Sequence, residues 1–375
     1  MTKPARRPFP TGGVVRSADL VGRDTAIDAF VRRLYEQKSS VYLSGPRQVG
    51  KTSVVTEALR RIRKRGGRSV YVDCTGPVDV AALATLLASA TYDEKTRSAG
   101  AFARLRQTLA GVRPTVIHPD SGLAITFFGA NPPAPARRLD RALLLADELA
   151  VVDKVRTVVV FDEFPRLADV DPHIFDQIRA QLQHAVQNTA YVFMGSQVGM
   201  LRSLFGGRGN MLYRLASPFE LPSPASSEWI RFIERRFSAW NKPLGAGEAA
   251  RLVELTGGHP RDLMEMSRAL LEIRLVGPKG SQDLELALEQ ALAALAVSFE
   301  QIWKSLSEPS GTRLTAARIA TGTPVYQGGR PRKTVQRSLE RLEQEGLIRR
   351  LEGRGHYEFT EKLFTVWVRR QTAVP

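Results

Sequence analysis

Gly45-Pro-Arg-Gln-Val-Gly-Lys51-Thr52 lies between the apolar run Val41-Tyr-Leu43 and a segment of helical periodicity that begins near Lys51. The octapeptide fits the pattern GxxxxGK[ST], which forms a phosphate-binding loop when a strand precedes it and a helix follows it. Its glycines allow backbone N–H groups to surround an anion, and the N-terminus of the helix adds a favourable dipole. We therefore predict a nucleotide-phosphate site formed by Gly45, Pro46, Arg47, Gln48, Val49, Gly50, Lys51, Thr52 and Ser53.

Two side chains of this loop have distinct expected roles. Lys51 is expected to reach the β- and γ-phosphates of a nucleotide, and the Thr52 hydroxyl is expected to ligate Mg²⁺. The helix after the loop is well defined, because a single apolar stripe ends in basic residues and then in Gly66-Gly67.

The second motif is Val158-Val-Val-Phe161-Asp162-Glu163, an apolar run that ends in two acids. It predicts a buried parallel strand that delivers both carboxylates to its C-terminal end. Asp162 is expected to hold Mg²⁺, and Glu163 is expected to polarise the attacking water. Such a strand is common, so by itself it is weak evidence for an NTPase. It becomes strong evidence because a phosphate loop lies about 110 residues earlier. The adjacent glutamate favours hydrolysis over phosphoryl transfer to a metabolite.

Two further residues are candidates for contact with the γ-phosphate. A predicted strand at 190–194 ends in Gly195-Ser196-Gln197, so that Ser196 lies at the tip of the strand beside the Asp-Glu strand. The alternative is a Gly-Ser turn that caps the next helix. Arg214, which follows Tyr213, is the second candidate, and a solvated surface arginine is its alternative.

Composition limits the class of protein. The 375 residues predict two or three domains, and 54 Lys and Arg against 38 Asp and Glu give a net charge of +16. This excess favours a polyanion or an acidic protein surface as partner, although an arginine-rich proteome produces the same excess. The single cysteine, Cys74, and the lack of long apolar runs predict a cytoplasmic protein with no membrane association. Five scattered histidines show no metal-ligand spacing, so we predict no metal other than Mg²⁺.

The chain between the motifs has a readable order. The basic, Pro/Gly-rich start at 1–17 predicts a flexible tail rather than a secretory signal. Residues 18–222 are expected to form the nucleotide-binding core, with a helix at 102–110 and a β-hairpin at 113–128. Residues 223–297 predict a helical domain with a turn at Gly257-Gly-His259-Pro260 and a last helix at 284–297.

Residues 298–375 have the order of a winged helix-turn-helix, with a first helix at 299–306. This segment carries 14 basic and 8 acidic residues. A helix in the major groove and a basic wing on the phosphates would suit duplex DNA. The same helix carries Glu340, Glu343 and Glu345, and winged helices also dock on proteins or on their own ATPase. The candidate DNA contacts are Arg332, Lys333, Thr334 and Arg337 on the helix and Arg349, Arg350 and Arg354 on the wing.

Taken as an ordered set, these motifs resemble the prokaryotic archaeal-type ATPases, of the AAA+/STAND branch of P-loop NTPases. The set consists of Val21-Gly22-Arg23-Asp24, the phosphate loop, Phe161-Asp-Glu-Phe164, Gly195-Ser196, Tyr213-Arg214, Gly257-Gly-His-Pro260 and the closing Leu363-Phe-Thr-Val-Trp367-Val-Arg369-Arg370.

The resemblance implies an α/β fold of AAA+ type, followed by an all-α lid and a winged helix-turn-helix domain. It also implies that Val21, Gly22 and Arg23 flank the adenine and that His259 and Pro260 face the nucleotide. We expect a slow Mg²⁺-ATP hydrolase, in which the nucleotide state moves the winged helix on double-stranded DNA. The alternatives are a STAND-type signalling or scaffold ATPase whose winged helix docks on protein, and a nucleotide-binding protein with negligible turnover.

Overall fold

The computed structural model describes residues 8–15, 17–96, 115–117, 124–126, 134–185, 188–307, 311–327, 329–351 and 355–373. The chain divides into two compact units. The sheet unit consists of Ala26–Ser44 and Val55–Leu221, and the helical unit consists of Met1–Thr25, Gly45–Val54 and Pro222–Pro375. The phosphate loop therefore belongs to the helical unit, although the strand before it belongs to the sheet unit.

A five-stranded parallel sheet forms the centre of the sheet unit, in the order β2-β5-β6-β1-β7. Its strands alternate with helices along the chain, as in a doubly wound α/β protein. The strands of the unit are β1 (Val41–Ser44), β2 (Arg68–Asp73), β3 (Thr115–Ile117), β4 (Ala124–Thr126), β5 (Thr157–Asp162), β6 (Thr189–Gly195) and β7 (Ser217–Glu220). The helices are α1 (Asp24–Val31), α2 (Lys51–Lys64), α3 (Val80–Thr96), α4 (Pro135–Asp153), α5 (Ile174–Ala185) and α6 (Val198–Phe205), of which α1 and α2 begin in residues of the helical unit.

Strands β3 and β4 form a separate antiparallel pair, with Val116 opposite Ile125. This pair confirms the β-hairpin predicted at 113–128. Its connecting residues and the helix predicted at 102–110 lie outside the described residues.

The central strands are buried on both faces, which explains their continuous apolar sequence. Every residue from Val158 to Phe161 is at most 1% exposed. The Phe161 ring on β5 stacks on the Phe193 ring on β6, with centroids 5.7 Å apart. Since β5 is fixed in the core up to Phe161, the two acids that follow it have a fixed position at the edge of the sheet.

In the part of the helical unit that follows residue 222, the described residues form six α-helices ahead of a short hairpin and one α-helix after it. Its elements are α7 (Ser226–Ala239), α8 (Glu248–Thr256), α9 (Pro260–Val276), α10 (Asp283–Ser305), α11 (Thr312–Thr321), α12 (Arg332–Gln344), β8 (Ile348–Arg350), β9 (Tyr357–Phe359) and α13 (Lys362–Ala373). Strands β8 and β9 are antiparallel, with Arg349 opposite Glu358. One hydrophobic core joins the helices before and after residue 298, and Phe299 packs on Phe364 and Trp367 within it.

Helix α10 differs from the prediction of two helices at 284–297 and 299–306. No glycine or proline interrupts the chain there, and the buried positions Ala291, Leu295, Phe299 and Ile302 continue one stripe across the predicted break. The expected domain boundary between residues 297 and 298 therefore lies inside a helix.

Part of the predicted flexible tail is also packed. Phe9 is 2% exposed and its ring centroid lies 5.4 Å from that of Phe237. The backbone N–H of Val15 donates to Ser53 Oγ at 3.1 Å. An aromatic side chain that reaches a core is enough to fix the backbone around it, which the basic and Pro/Gly-rich composition concealed. None of the described helices combines the length and apolar character needed to cross a bilayer.

Candidate nucleotide-binding site

The phosphate loop has the backbone that its glycines predict. Gln48 and Gly50 adopt left-handed conformations, with φ of 60° and 89°, and the first hydrogen bond of α2 joins Val54 N–H to Gly50 O at 3.0 Å. Lys51 is 8% exposed and its Nζ donates to Gly45 O at 2.7 Å and to Pro46 O at 2.6 Å. The ammonium group is thus held against the carbonyl oxygens at the start of the loop.

The segment Val21-Gly22-Arg23 approaches this loop, within the helical unit. The Arg23 guanidinium donates to Val49 O at 3.2 Å and is 4% exposed. Burial lowers the pKa of Arg23 to about 10, against the opposing effect of the Glu228 carboxylate. Gly22 has a φ of 61°, and a Cβ atom there would collide with the Glu228 carboxylate. Another residue here would adopt a strained left-handed backbone and would displace the Glu228 carboxylate.

The Gly-Gly-His-Pro turn contacts the same loop. Gly257 and Gly258 are left-handed, with φ of 63° and 69°, and Pro260 begins α9. His259 Nε2 lies 3.3 Å from Arg47 O, and Arg261 donates to Gln48 Oε1 at 2.5 Å. Burial alone would lower the pKa of His259, but Asp262, Glu361 and the Arg47 carbonyl outweigh it and raise this pKa above its usual value. The structure thus brings His259 to the predicted phosphate loop.

The predicted Mg²⁺ ligand Asp162 and the predicted general base Glu163 lie at the end of β5 in the sheet unit. Asp162 Oδ1 accepts the N–H of Glu163 at 2.9 Å, and Asp162 Oδ2 accepts the hydroxyl of Tyr71. Burial raises the pKa of Asp162, while the hydrogen bonds from Tyr71 and the Glu163 N–H oppose the rise. Tyr71 lies on β2 opposite Val160, and no motif in the sequence marks it.

Ser196 holds the second acid. Its backbone N–H and its Oγ donate to Glu163 Oε2 at 3.1 and 3.0 Å. The alternative interpretation, a cap for the next helix, does not fit, since the N-cap of α6 is Gln197 and carries no side-chain hydrogen bond. The structure therefore gives Ser196 a contact that the sequence did not predict, with the proposed general base.

Strand pairing places the ends of three motifs at one edge of the sheet. Strands β5, β6 and β1 are neighbours and parallel, so their C-terminal ends lie on the same side. Ser44, the last residue of β1, is paired with Gly195 at the end of β6. The phosphate loop begins at the next residue. This is the edge at which parallel α/β proteins bind ligands.

Arg214 has no contact with Glu163 or Ser196 among the described residues. It lies in a turn with a φ of 67°, is exposed, and carries its guanidinium 5.4 Å from the centroid of the neighbouring Tyr213 ring. Its contact with a γ-phosphate stays a prediction.

The basic residues of the C-terminal elements fall into two groups. Arg332, Lys333 and Arg337 on α12 are exposed and Thr334 is half-buried, and for the three cations no ion pair or hydrogen bond is seen within the described ranges. On the hairpin, Arg349 pairs with Glu358, and Arg350 donates to Tyr357 Oη at 3.2 Å. Arg354 lies outside the described residues.

Fold and site together define a P-loop NTPase with a parallel sheet and a helical region after it. Residues 19–192, slightly less than half of the chain, match the family model of the AAA ATPase domain, which agrees with the predicted resemblance to AAA+ ATPases. No curated protein sequence matches the chain.

Solved structures of low sequence identity share the fold. The Walker-type ATPase PABY2304 of Pyrococcus abyssi is 18% identical over 96% of this chain and 99% of its own, with a TM-score of 0.69. The ORC2 protein of Aeropyrum pernix is 15% identical over 98% of both chains, with TM-scores of 0.54 for its ADPNP–ADP complexes and 0.51 for its ADP form. At these identities the likeness concerns the fold alone.

Proposed function

We propose that this protein is an Mg²⁺-dependent ATP hydrolase that acts as a switch, in which bound nucleotide repositions a C-terminal winged helix on duplex DNA. The observation that carries the proposal is a chain of hydrogen bonds within the helical unit. It leads from the phosphate loop through the start of α9 to the start of α13.

The first step of this chain joins the loop to α9. Arg47 O contacts His259 Nε2, and Gln48 Oε1 accepts from Arg261. Both loop residues lie in the turn that a bound phosphate would order. A change in the backbone of this turn therefore alters the contacts of the residues that begin α9.

The second step joins α9 to the last helix. Asp262 Oδ2 accepts the backbone N–H of Leu363 at 3.1 Å, and Lys362 Nζ donates to Glu254 O at 3.2 Å. These bonds fix the N-terminus of α13 to α8 and α9. Because a ligand shifts an equilibrium only through contacts that differ between two states, this route gives nucleotide a physical means of moving the C-terminal elements.

The proposed chemistry uses the residues of both motifs. Lys51 exchanges the carbonyls of Gly45 and Pro46 for the β- and γ-phosphates, with the loop amides around the same oxygens. Thr52 and Asp162 would hold Mg²⁺, which would supply positive charge to the transferring phosphoryl group. Glu163, oriented by Ser196, accepts a hydrogen bond from the attacking water and draws off its proton. ADPNP and ADP are bound by the Aeropyrum pernix ORC2 protein, which supports an adenine nucleotide as the ligand.

The C-terminal elements have the order required for DNA binding. Helices α11 and α12 followed by the β8–β9 hairpin form the helix, recognition helix and wing of a winged helix-turn-helix. Val335, Leu339 and Leu342 are buried, which leaves Arg332, Lys333 and Arg337 outward at the start of α12. Exposed cations at this place suit the phosphates that flank a major groove.

A second candidate function is a signalling or scaffold ATPase whose winged helix docks on protein. It is favoured by the contacts that α13 makes with its own unit. Arg370 forms a bidentate ion pair with Glu289 on α10 at 2.6 Å, and Arg369 donates to Ala320 O on α11. Such contacts fit a winged helix held against its own helices until a partner releases it.

The test is the steady-state ATPase rate of the full chain, with and without duplex DNA. We expect turnover that requires Mg²⁺, no nucleotide binding by Lys51→Ala, and a loss of roughly 10²–10⁴-fold in turnover by Glu163→Gln. An ATPase rate that duplex DNA increases, by less as the salt concentration rises, supports the DNA switch. A rate indifferent to DNA supports the second candidate, and normal turnover by Glu163→Gln refutes the assignment of the base.

A further inference from the structure

Three side chains with metal-ligand atoms meet in the helical unit. One nitrogen or oxygen atom from each of His259, Asp262 and Glu361 lies within 4.8 Å of the others. The three residues are 6%, 0% and 5% exposed. His259 and Asp262 belong to the first turn of α9, and Glu361 immediately precedes α13. The local spacing of the sequence does not reveal the cluster, since Glu361 lies about 100 residues after His259.

The atoms that face one another lack hydrogen-bond partners. His259 Nδ1, Asp262 Oδ1 and Glu361 Oε2 are buried, and among the described residues none of them makes a hydrogen bond. His259 Nδ1 and Asp262 Oδ1 approach to 3.3 Å. Buried polar atoms without a partner are rare, because each has lost its water. When the imidazole is neutral all three atoms carry lone pairs, so one cation that replaces the proton on Nδ1 would satisfy the three together.

The outer contacts of the cluster hold these lone pairs in place. Arg47 O can only accept a hydrogen bond, so His259 Nε2 carries a proton, and in the neutral ring that binds a metal the lone pair is on Nδ1. Asp262 Oδ2 accepts the N–H of Leu363, which fixes the direction of Oδ1. A backbone carbonyl behind a histidine and a donor behind a carboxylate are the usual support of metal ligands.

We propose that His259 Nδ1, Asp262 Oδ1 and Glu361 Oε2 bind one divalent transition-metal ion, and we take Zn²⁺ as the example. One imidazole and two carboxylates are ligands that zinc accepts, and the cation neutralises the two carboxylates. The positive charges of Arg47 and Arg261 also act on Glu361 from outside the cluster. They repel a cation bound there and so weaken its binding. Zinc–ligand distances of about 2.0–2.2 Å place tetrahedral ligands about 3.4 Å apart, so small side-chain rotations close the site.

The proposed ion has a structural consequence. It would join the first turn of α9 to the residue before α13, next to the existing bond between Asp262 and Leu363. The His259 ring would then connect the ion to the phosphate loop through Arg47 O. Metal binding by the cluster can be measured directly, without any measurement of ATPase activity.

The experiment is a metal titration of the untagged, chelator-treated full chain without nucleotide. Zn²⁺ binding is followed by calorimetry, and Co²⁺ binding is followed by its visible absorption. We expect one ion per chain. His259→Ala and Glu361→Gln are each expected to weaken binding by more than about 100-fold, since the loss of a supporting residue alone costs about 10–100-fold. Two matched controls are expected to bind the metal as the unmodified chain does. They are Asp162→Asn, at the predicted Mg²⁺ site, and Glu265→Gln, which changes an α9 acid paired with Arg268.

A second measurement covers variants that fail to fold. The thermal unfolding midpoint of the unmodified chain is expected to rise with Zn²⁺ relative to the chelated protein, because an ion that binds only the folded state stabilises it. An unchanged midpoint overturns the proposal without any variant. Uptake that survives in His259→Ala and Glu361→Gln, or that disappears in Asp162→Asn, also overturns it. In those cases protons, and not a metal, satisfy the cluster.

Discussion

Glu163 adopts a left-handed backbone conformation, with a φ of 49°, directly after the buried strand β5. This conformation costs energy for a residue other than glycine, and it persists where the surrounding structure holds the residue in place. Here Ser196 donates two hydrogen bonds to the same carboxylate oxygen. Within the described part of the chain no hydrogen bond to the second oxygen, Oε1, is seen, so this oxygen can accept one from a water molecule. The geometry therefore makes Ser196 a positioning residue for the proposed base.

Ser196→Ala tests this role because it removes the hydroxyl and keeps the backbone N–H. We expect kcat to fall by about 10-fold, the worth of one hydrogen bond to a charged group, while the ratio of ATP to ADP affinity stays unchanged. Ser196→Thr keeps a hydroxyl and is the matched control. Turnover and nucleotide affinities are measured on the same preparations. A loss of ATP affinity without a change in kcat would instead assign Ser196 to the γ-phosphate.

Residues that the sequence identified and residues that it missed differ in the range of their contacts. The phosphate loop, Asp162 and Glu163 are set by short patterns, in which a buried strand and a glycine-rich turn suffice. Tyr71 and Glu361 act through neighbours brought by strand pairing or by helix packing, and a short pattern carries no record of those neighbours. The motif alone thus predicts the groups that bind phosphate, but not the groups that hold them.

At the level of elements, glycine and proline marked helix ends correctly where they occur. The turn between α8 and α9 has two left-handed glycines and a proline at the first helical position, as predicted. The break predicted inside α10 had neither residue, and the helix continues. Phe9 shows the opposite error, because composition suggested a tail where one aromatic side chain reaches the core. The local sequence therefore predicts where an element begins and ends, whereas the contacts between elements depend on packing that the local sequence does not show.

Helix α12 supports a prediction about DNA. Arg332, Lys333 and Arg337 are exposed, whereas Arg349 and Arg350 have partners on the hairpin or on α12. Replacing the first three by alanine is expected to lower duplex affinity at low salt and to reduce the slope of log K against log salt by about 2–3. Arg349→Ala with Arg350→Ala is expected to have a smaller effect, because those side chains would have to leave existing partners.

Fluorescence anisotropy of a labelled duplex over a range of KCl concentrations provides the measurement. Three exposed cations of the sheet unit, Arg137, Lys154 and Arg166, form a control triple with the same change in net charge. If this control weakens binding as much as the α12 triple, the interaction depends on net charge and α12 is not the recognition helix. An α12 triple that binds duplex normally would favour the protein-docking alternative.

Across the molecule, each unit contains an acid whose pKa arginine side chains help to lower to about 2. In the sheet unit, the hydrogen bond from Arg60 lowers the pKa of Glu57 to about 2, with burial opposing it and Arg61 adding to the effect. In the helical unit, burial would raise the pKa of Glu248, but Arg274, the Gly245 N–H and Lys279 lower it to about 2. Arg274 is 3% exposed and also donates to Asp283 Oδ2 at 3.1 Å. The two acids thus link the stability of both units to pH.

The sign of this dependence follows from the two pKa values. Each carboxyl has an ordinary pKa of 4.5 and a folded pKa of about 2, so its charged form favours the folded state. The contribution is present above pH 4.5 and is lost as the pH falls towards 2. For Glu248→Gln we expect a free energy of unfolding about 1–2 kcal/mol lower at pH 7, after allowance for solvent screening, and a smaller further loss on acidification.

The two units can be followed separately, because Trp229, Trp240, Trp303 and Trp367, the four tryptophans of the chain, all lie in the helical unit. Urea unfolding at pH 7, 4.5 and 3 is measured by tryptophan fluorescence for the helical unit and by far-UV circular dichroism for both units. Glu248→Gln is expected to shift the fluorescence transition at pH 7 and to shift it by less than half as much at pH 3, where the folded pKa of about 2 still leaves part of the contribution in place. Glu57→Gln is expected to shift the part of the circular dichroism transition that tryptophan fluorescence does not report.

Equal shifts of both signals by both variants would show that the two units unfold as one, so that neither acid can be assigned to the stability of its own unit. A Glu248→Gln shift as large at pH 3 as at pH 7 would show that its contacts stabilise the fold through packing rather than through charge.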